Sequence, residues 1–563
     1  VIDGALALAV LALLQAAEHP PTIPVEAEIV RVDALVKDKK GRPVPGLSVG
    51  DFVVYEDNRP VSIVAFEDPS TAVPPSPEAP EESGAAARSV PPGQTFTIVV
   101  YIDNRNLTSA GRRRVLEGLE PALEAQLATG HARVLVLAEQ RGTRALGAVT
   151  SDPAKLRVAL AAAANGVAQG NLDHFEERTT LDLVRETITA AEQAGLGAES
   201  CAEILPQLQG IVRQYADARA LHHRETFARL AGVIAAVDAL PGTKALLFLT
   251  ENVEQVPGLS LFHQLGDICP QAMQSHSSEL YAAEQEFDLS RAFQKVAARA
   301  NAARVTIYPV DGGGLTTNSI ADVSQQGDRR YTPTPNNDRV RAANVKAGPG
   351  ILAEETGGVA VFDSNRPSVT LESIADDVRG RYSLGFSPAH APEGRRHSLR
   401  VEVGRKGLAV RHRLSYFHAP SGETQVKRTY AALLLGYEED GLGATIEAEV
   451  AGETTQSPSP EVAIRVSLPL SRIGSRPAGD HRIAQVRVTM VIRKAGETAT
   501  EGRAVGRETT VALHLPAASP EGETARHDFV VRIPAAGEDQ EIAVGVRDLV
   551  GGAATYKRLV VHR

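Results

Sequence analysis

The chain has 563 residues, of which 23% are charged and 43% hydrophobic, and a formal net charge of -10. That length holds three or four domains with real cores, and the negative balance excludes a nucleic-acid binder because nothing offsets phosphate repulsion. An aromatic content of 4% with no Trp excludes base-stacking and aromatic sugar-binding platforms.

The first predicted element is the apolar run Ala5–Leu14, followed by Gln15-Ala16-Ala17. It is too short to span a bilayer as a helix but fits the apolar core of a secretory signal with a small-residue cleavage site. The chain begins with Val and lacks a basic region before this run. A signal peptide over residues 1–20 and export to the periplasm, cell surface or medium are expected; a buried N-terminal helix is the rival reading. No later stretch approaches a membrane span.

Val25–Asp68 alternates apolar and polar residues around Asp38-Lys-Lys-Gly-Arg and Glu56-Asp-Asn-Arg, which predicts a small β module. Residues 69–94 are Pro, Ala, Glu and Ser without periodicity, a stiffened linker.

From about Thr95 to Pro388 the pattern predicts a doubly wound α/β domain. Thr95–Asp103 (TFTIVVYID), Ala132–Glu139, Thr243–Glu251 (TKALLFLTE) and Arg304–Asp311 (RVTIYPVD) are near-continuous apolar runs, as strands buried on both faces of a parallel sheet should be. Helical spacing occupies Ala110–Leu127, Asp152–Ala164, Leu181–Ala194, Arg224–Leu240 and Asp288–Ala303. Gly195–His223 reads as an inserted helical connection, and Gln255–Gln285 as a polar segment over the sheet rim. Gly312–Gly348 reads as a long irregular segment, and Tyr382–Phe386 as the final strand of this domain. His397–Phe417 predicts a hairpin extension. Beyond Pro420 the chain reads as all β, an immunoglobulin- or fibronectin-like sandwich of about seven strands.

Three apolar runs end on acids, Asp103, Glu251 and Asp311. Ligands of such sheets bind at the carboxyl ends of the strands, so this rim is the leading functional surface. Cys201 and Cys269 carry no metal-binding spacing; exported, they form one disulfide, and in a reducing compartment they stay two buried thiols.

Together these segments resemble the VWFA-related family of predicted secreted bacterial proteins, divergent relatives of von Willebrand factor A domains. The resemblance covers about residues 25–417. It is carried by VDALVKDKKGRPVPGLSVGDFVVYEDNRPVSIVAFED, IVVYIDNRNL, LPGTKALLFLTEN, ANAARVTIYPVDGGGL, LAEETGGVAVFDSN, IADDVRGRYSLGFSP and the hairpin ending at Tyr416-Phe417. It implies an α/β domain that binds protein ligands at its rim, often through Mg²⁺ held by a DxSxS motif, a Thr and a further acid. Asp103 matches the first Asp, but Arg105 and Leu107 replace the two Ser residues. Thr180 (or Thr179) could match the Thr, and Glu251 stands where the further acid falls. A degenerate site would therefore use Asp103, Thr180 and Glu251, with Asn104, Asn106 or Ser109 as substitute oxygens. Mg²⁺ tolerates poor octahedra badly, so the expectation is weak or no divalent-ion binding, no other cofactor, and a pairing of Arg105 with Asp103. Partner recognition would then run through Asn104, Arg105 and Asn106.

The remaining polar signals read as structural. Asp103 could simply close its loop against Arg105 or Arg112, Thr180 could cap a helix, and Asp311 before Gly312 suits a turn. His222-His223 lacks HExxH spacing and reads as a solvated helix face, as does Arg112-Arg113-Arg114. No GxSxG elbow appears. The sequence predicts a non-enzymatic exported binding or adhesion protein whose partner is another protein or itself. The rivals are a self-assembling envelope protein and, least supported, a metal-dependent hydrolase.

Overall fold

The computed structural model describes residues 29–69, 96–117, 119–140, 142–194, 200–270, 282, 284–315, 334–364, 374, 376–390, 394–417, 424–451, 461–478, 480–495, 505–516, 526–534 and 539–562. The expected signal segment and nearly all of the expected linker lie outside these residues. Among the described residues no helix is long and apolar enough to cross a membrane.

The centre is a five-stranded sheet of β1 (Phe96–Ile102), β2 (Ala132–Glu139), β3 (Thr143–Ala145), β4 (Thr243–Thr250) and β5 (Val305–Asp311). Its order is β3-β2-β1-β4-β5, parallel except for β3. The side chains of β1 are all buried, because successive residues point to opposite faces and both faces are covered. Ile98, Val100 and Ile102 pack against α1 (Ser109–Leu116), α2 (Leu119–Leu127) and α3 (Pro153–Ala164). Val99 and Tyr101 face the second half of the long helix described below, together with α7 (Ser290–Ala302) and Leu352 of α8 (Pro335–Thr356).

Between β3 and β4 stand α4 (Asn171–Gln193) and α5 (Ser200–Asp238), followed after β4 by α6 (Leu259–Ile268). The expected insertion and the Arg224 helix are thus one continuous element of 39 residues. Its first half packs with α4 and α6 in a separate small core around Val184, Ile188, Leu208 and Phe262. Cys201 and Cys269 are bonded across it, with Cα atoms 5.7 Å apart.

Three expectations are corrected. Residues 335–348 are helical rather than irregular: Pro335 sits in the first turn behind Thr334, whose side chain accepts from Asn337 N, and a first-turn Pro starts a helix without cost. Tyr382–Phe386 does not complete the central sheet. Strand Arg381–Phe386 pairs antiparallel with Val30–Lys37 and Ile63–Glu67, whereas the edge of β5 away from β4 meets, among the described residues, a single bridge from Val361. The N-terminal module and the later hairpin therefore form one two-sheet sandwich around Val32, Phe52, Tyr382, Phe386 and Tyr416.

The C-terminal region is not all β either. Helix α9 (Thr424–Leu435) buries Ala431, Ala432 and Leu435 between the helical face of the central sheet and Ala543 and Tyr556. Beyond it a six-stranded and a three-stranded sheet enclose a core of Val466, Val488, Ile542 and Val544.

Candidate functional site

The order β2-β1-β4 places the topological switch point at the carboxyl end of β1, where crevices form in such sheets. Register aligns the rim: Ile102 lies beside Leu249, and Thr250 beside Asp311. Asp103, Thr250 and Asp311 are therefore level, with Glu251 one residue beyond.

Asp103 is buried, and its Oδ2 accepts from Asn106 Nδ2 at 2.6 Å and from Thr250 Oγ1 at 2.8 Å. Burial pushes its carboxyl up, against these donors. Arg105 does not pair with it. Its guanidinium meets Glu225 at 2.8 Å and His222 Nδ1 at 3.2 Å. An arginine only donates, so His222 Nδ1 is the acceptor and Nε2 carries the proton. That N–H donates to Asn106 Oδ1 at 3.1 Å. The amide then donates both to Asp103 and to Thr226 Oγ1, the latter at 3.0 Å. Burial, with Arg219 and Arg105 nearby, pushes His222 down to about 3, so the ring is neutral.

A continuous relay thus runs from Arg105 through His222 and Asn106 to Asp103. The Asn106 amide stands within hydrogen-bond distance of the carboxylate that would ligate a rim cation. A cation on Oδ2 would compete with that amide, and the octahedral oxygen shell that Mg²⁺ demands has Arg105 and Leu107 where two hydroxyl ligands would stand. The residues present do not fit the ion.

Glu251 is engaged by the start of α1: it accepts from Thr108 N at 3.0 Å and Thr108 Oγ1 at 2.9 Å, while Thr108 caps Gly111 N. A carboxylate belongs at that positive helix end. Asp311 is pushed up to about 6, first by burial and then by Glu251 and Asp363. Asn104 is turned inward, its Nδ2 donating to Glu139 O at 2.8 Å. Arg112 and Arg114 are held by the carbonyls of Gly166 and Gly312 rather than lying free on a solvated face.

Thr180 is not a rim residue. It lies inside α4, with Oγ1 donating to Glu176 O at 2.8 Å, and Thr179 does the same to Phe175 O. At 1.5 Å per residue it is about 14 Å along α4 from Asn171. Of the expected residues, Asp103, Asn104, Asn106 and Glu251 are brought together as a hydrogen-bonded rim loop, and Arg105 ties that loop to Glu225 and His222 of α5. His222, Thr226, Thr250 and Thr108 complete it; the sequence marks only His222 among them, and as a solvated face. His222-His223 is not a solvated face: His223 is buried and its Nε2 accepts from Glu254 N, while the partly buried His222 is held by Arg105 and Asn106.

The rim loop also holds the start of α4. Gln169 N donates to Asn104 O at 2.7 Å and Gly170 N to Leu107 O at 2.9 Å. A Cβ on Gly170 would lie 2.1 Å from Asn106 O, whereas one on Gly111 would meet Glu251 Oε2 at 2.1 Å and Gly312 O at 3.0 Å. Gly170→Ala is therefore expected to cost about 3 kcal/mol or more as the backbone is forced apart. Gly111→Ala should cost less, because its tightest contact is a side chain that can turn aside at the loss of its bonds to Thr108, not backbone. Urea unfolding of the two variants checks the order.

Just behind the rim, Arg219 pairs with Asp173 at 2.5 Å, and Arg341 with Glu177 through bonds of 2.7 and 2.6 Å. Glu254 lies among them, buried, and burial pushes its carboxyl up to about 7. A carboxyl raised in the fold contributes stability that is complete below its unfolded value of 4.5 and lost as pH rises through about 7. Glu254→Gln is expected to remove that dependence, worth about 3 kcal/mol. The variant should gain on its parent as pH rises from about 5 to about 8 in paired denaturation curves. An unchanged difference would contradict this.

No protein-family model matches the chain, and none of the curated proteins does. Among solved structures it is similar to von Willebrand factor type A from Catenulispora acidiphila, with 9% identity and a TM-score of 0.20. That match covers 84% of this chain and 66% of the other. Human COPII-coat protein Sec24c matches at 8% identity and a TM-score of 0.15, over 84% of this chain and 44% of its own. The chain spans less than two thirds of either. At these TM-scores neither carries an argument, and the doubly wound assignment rests on strand order and register.

Proposed function

We propose that this is a non-enzymatic, exported binding or adhesion protein that takes a protein partner on its strand-end rim and the adjoining α4–α5 hairpin, without a divalent ion. The observation that supports this most is the relay: the rim carboxylate is consumed by Asn106 and Thr250, so the loop is held rigid by its own side chains. An ordered surface loses less freedom on binding. Beside it Val167, Leu172 and Phe175 are 76%, 61% and 67% exposed. Leu172, Phe175 and Leu183 share one face of α4, a stripe that starts where the helix is tied to the rim. Single exposed apolar residues need no explanation, but a row of them beside an ordered loop suits a protein interface.

The test is capture of a discrete partner from an envelope extract by the immobilised chain, in chelator. Retention in chelator and in Asp103→Asn, with loss in Leu172→Asp/Phe175→Asp, is expected. Capture that requires a divalent ion, or that ignores the α4 substitutions, overturns the reading. Retention of added copies of the chain alone would favour a self-assembling envelope protein.

A further inference from the structure

One cluster lies outside the rim altogether, in the N-terminal sandwich. Glu56 ends strand Phe52–Glu56, His397 lies on the paired strand Arg396–Val403, and His390 follows strand Arg381–Phe386. We propose that Glu56, His390 and His397 form a site for a divalent transition metal, with Zn²⁺ the ion its donors fit.

One donor atom from each residue lies within 4.8 Å of the other two. His390 Nε2 and Glu56 Oε1 are 3.1 Å apart, close to the roughly 3.3 Å between ligands on a tetrahedral zinc with bonds near 2.0 Å. The two imidazoles are stacked, with centroids 4.1 Å apart and planes 19° from parallel, so one ring must turn about its χ angles for both to face a single ion.

His397 supplies the second, independent observation. It is 3% exposed, and its Nε2 is buried with no hydrogen-bond partner. Its Nδ1 is 2.9 Å from Asp57 Oδ2. A carboxylate accepts, so Nδ1 carries a proton, and Nε2 is the ring nitrogen left to face a metal. A buried ring nitrogen without a partner calls for a ligand. Asp57 is itself fixed by Ser398, from N at 2.8 Å and Oγ at 3.0 Å, and the Tyr416 hydroxyl donates to Glu56. A carboxylate behind a ligating histidine is the outer shell that orients such ligands.

Two neutral imidazoles and one carboxylate suit zinc rather than the oxygen-seeking Mg²⁺ or Ca²⁺. The His390 side chain is 25% exposed, so the cluster opens to solvent on that side. The ion would tie together strand ends 334 residues apart in sequence, which makes its role a strap on the sandwich.

The experiment is calorimetric titration of tag-free, chelator-treated full chain with ZnCl₂, with zinc counted by mass spectrometry. One ion per chain is expected, with an affinity unchanged in Asp103→Ala. His390→Ala and His397→Ala should each weaken it by about 100-fold or more, and Asp57→Asn, which alters an exposed carboxylate, by about 10-fold. Zinc should raise the melting temperature of the parent and not of His390→Ala. Should His397→Ala fail to fold, His390→Gln at the partly exposed position decides. Millimolar binding, or affinity indifferent to these substitutions, would mean an adventitious ion only and overturn the proposal.

Discussion

Arg219→Met is expected to destabilise the α/β domain by about 3–5 kcal/mol, the largest effect of any single substitution considered. Arg219 is 1% exposed, pairs with Asp173 at 2.5 Å and reaches Asn252 O at 3.3 Å. Deleting the guanidinium leaves Asp173 charged and buried without a cation, while Glu254 loses an attractive neighbour. Both carboxyls can relieve this by taking a proton, so the deficit should shrink as pH falls. The double variant Arg219→Met/Asp173→Leu removes both charges and should recover most of the loss, since apolar replacements of a buried pair are often neutral or better. Denaturant unfolding of the singles and the double, read as a double-mutant cycle, checks this. A loss below about 1 kcal/mol would mean the pair is hydrated.

Cys201→Ala/Cys269→Ala is expected to cost about 4 kcal/mol. The bond closes 68 residues of sequence, and a loop of that length removes that much chain entropy from the unfolded state. The loss should be local as well as global. The bond joins the start of α5 to the end of α6, far along the hairpin from the rim-tied start of α4. Amide exchange should therefore accelerate over residues 181–212 more than over β1 and β4. Uniform acceleration would indicate that the hairpin and the sheet unfold as one unit.

The parallel core was legible because a strand buried on both faces must be apolar throughout. Runs such as IVVYI and ALLFL, with helical spacing between them, leave few alternatives. Pairings across long separations were not. Arg381–Phe386 has a strand's composition whichever sheet takes it, and only packing against Val30–Lys37 decides. Helix α9 was read as β because its short apolar stretch, AALLL, has no period of its own to distinguish the two. Residues 335–348 look like a loop in sequence because Gly and Pro argue against helix, although Pro335 stands where helices accept it.

At the rim, Asp103 and Glu251 were legible as strand-end acids. The identity of their partners was not. Arg105 was expected to neutralise Asp103 as its near neighbour, yet it is drawn to Glu225, 120 residues on. His222 and Thr226, which orient Asn106, lie 116 and 120 residues away from it. Thr180 failed as a rim residue because helical spacing was recognised only from Leu181, so the true start of α4 at Asn171 placed it mid-helix.

The central claim is that the rim is ordered by its own side chains and works without an ion. Calorimetry with Mg²⁺, Mn²⁺ and Ca²⁺, comparing the parent with Asp103→Ala, tests it most directly. No saturable heat that depends on Asp103 is predicted for any of the three. Sub-millimolar binding that disappears in Asp103→Ala would contradict the account, because the cation would then hold the carboxylate that Asn106 and Thr250 engage.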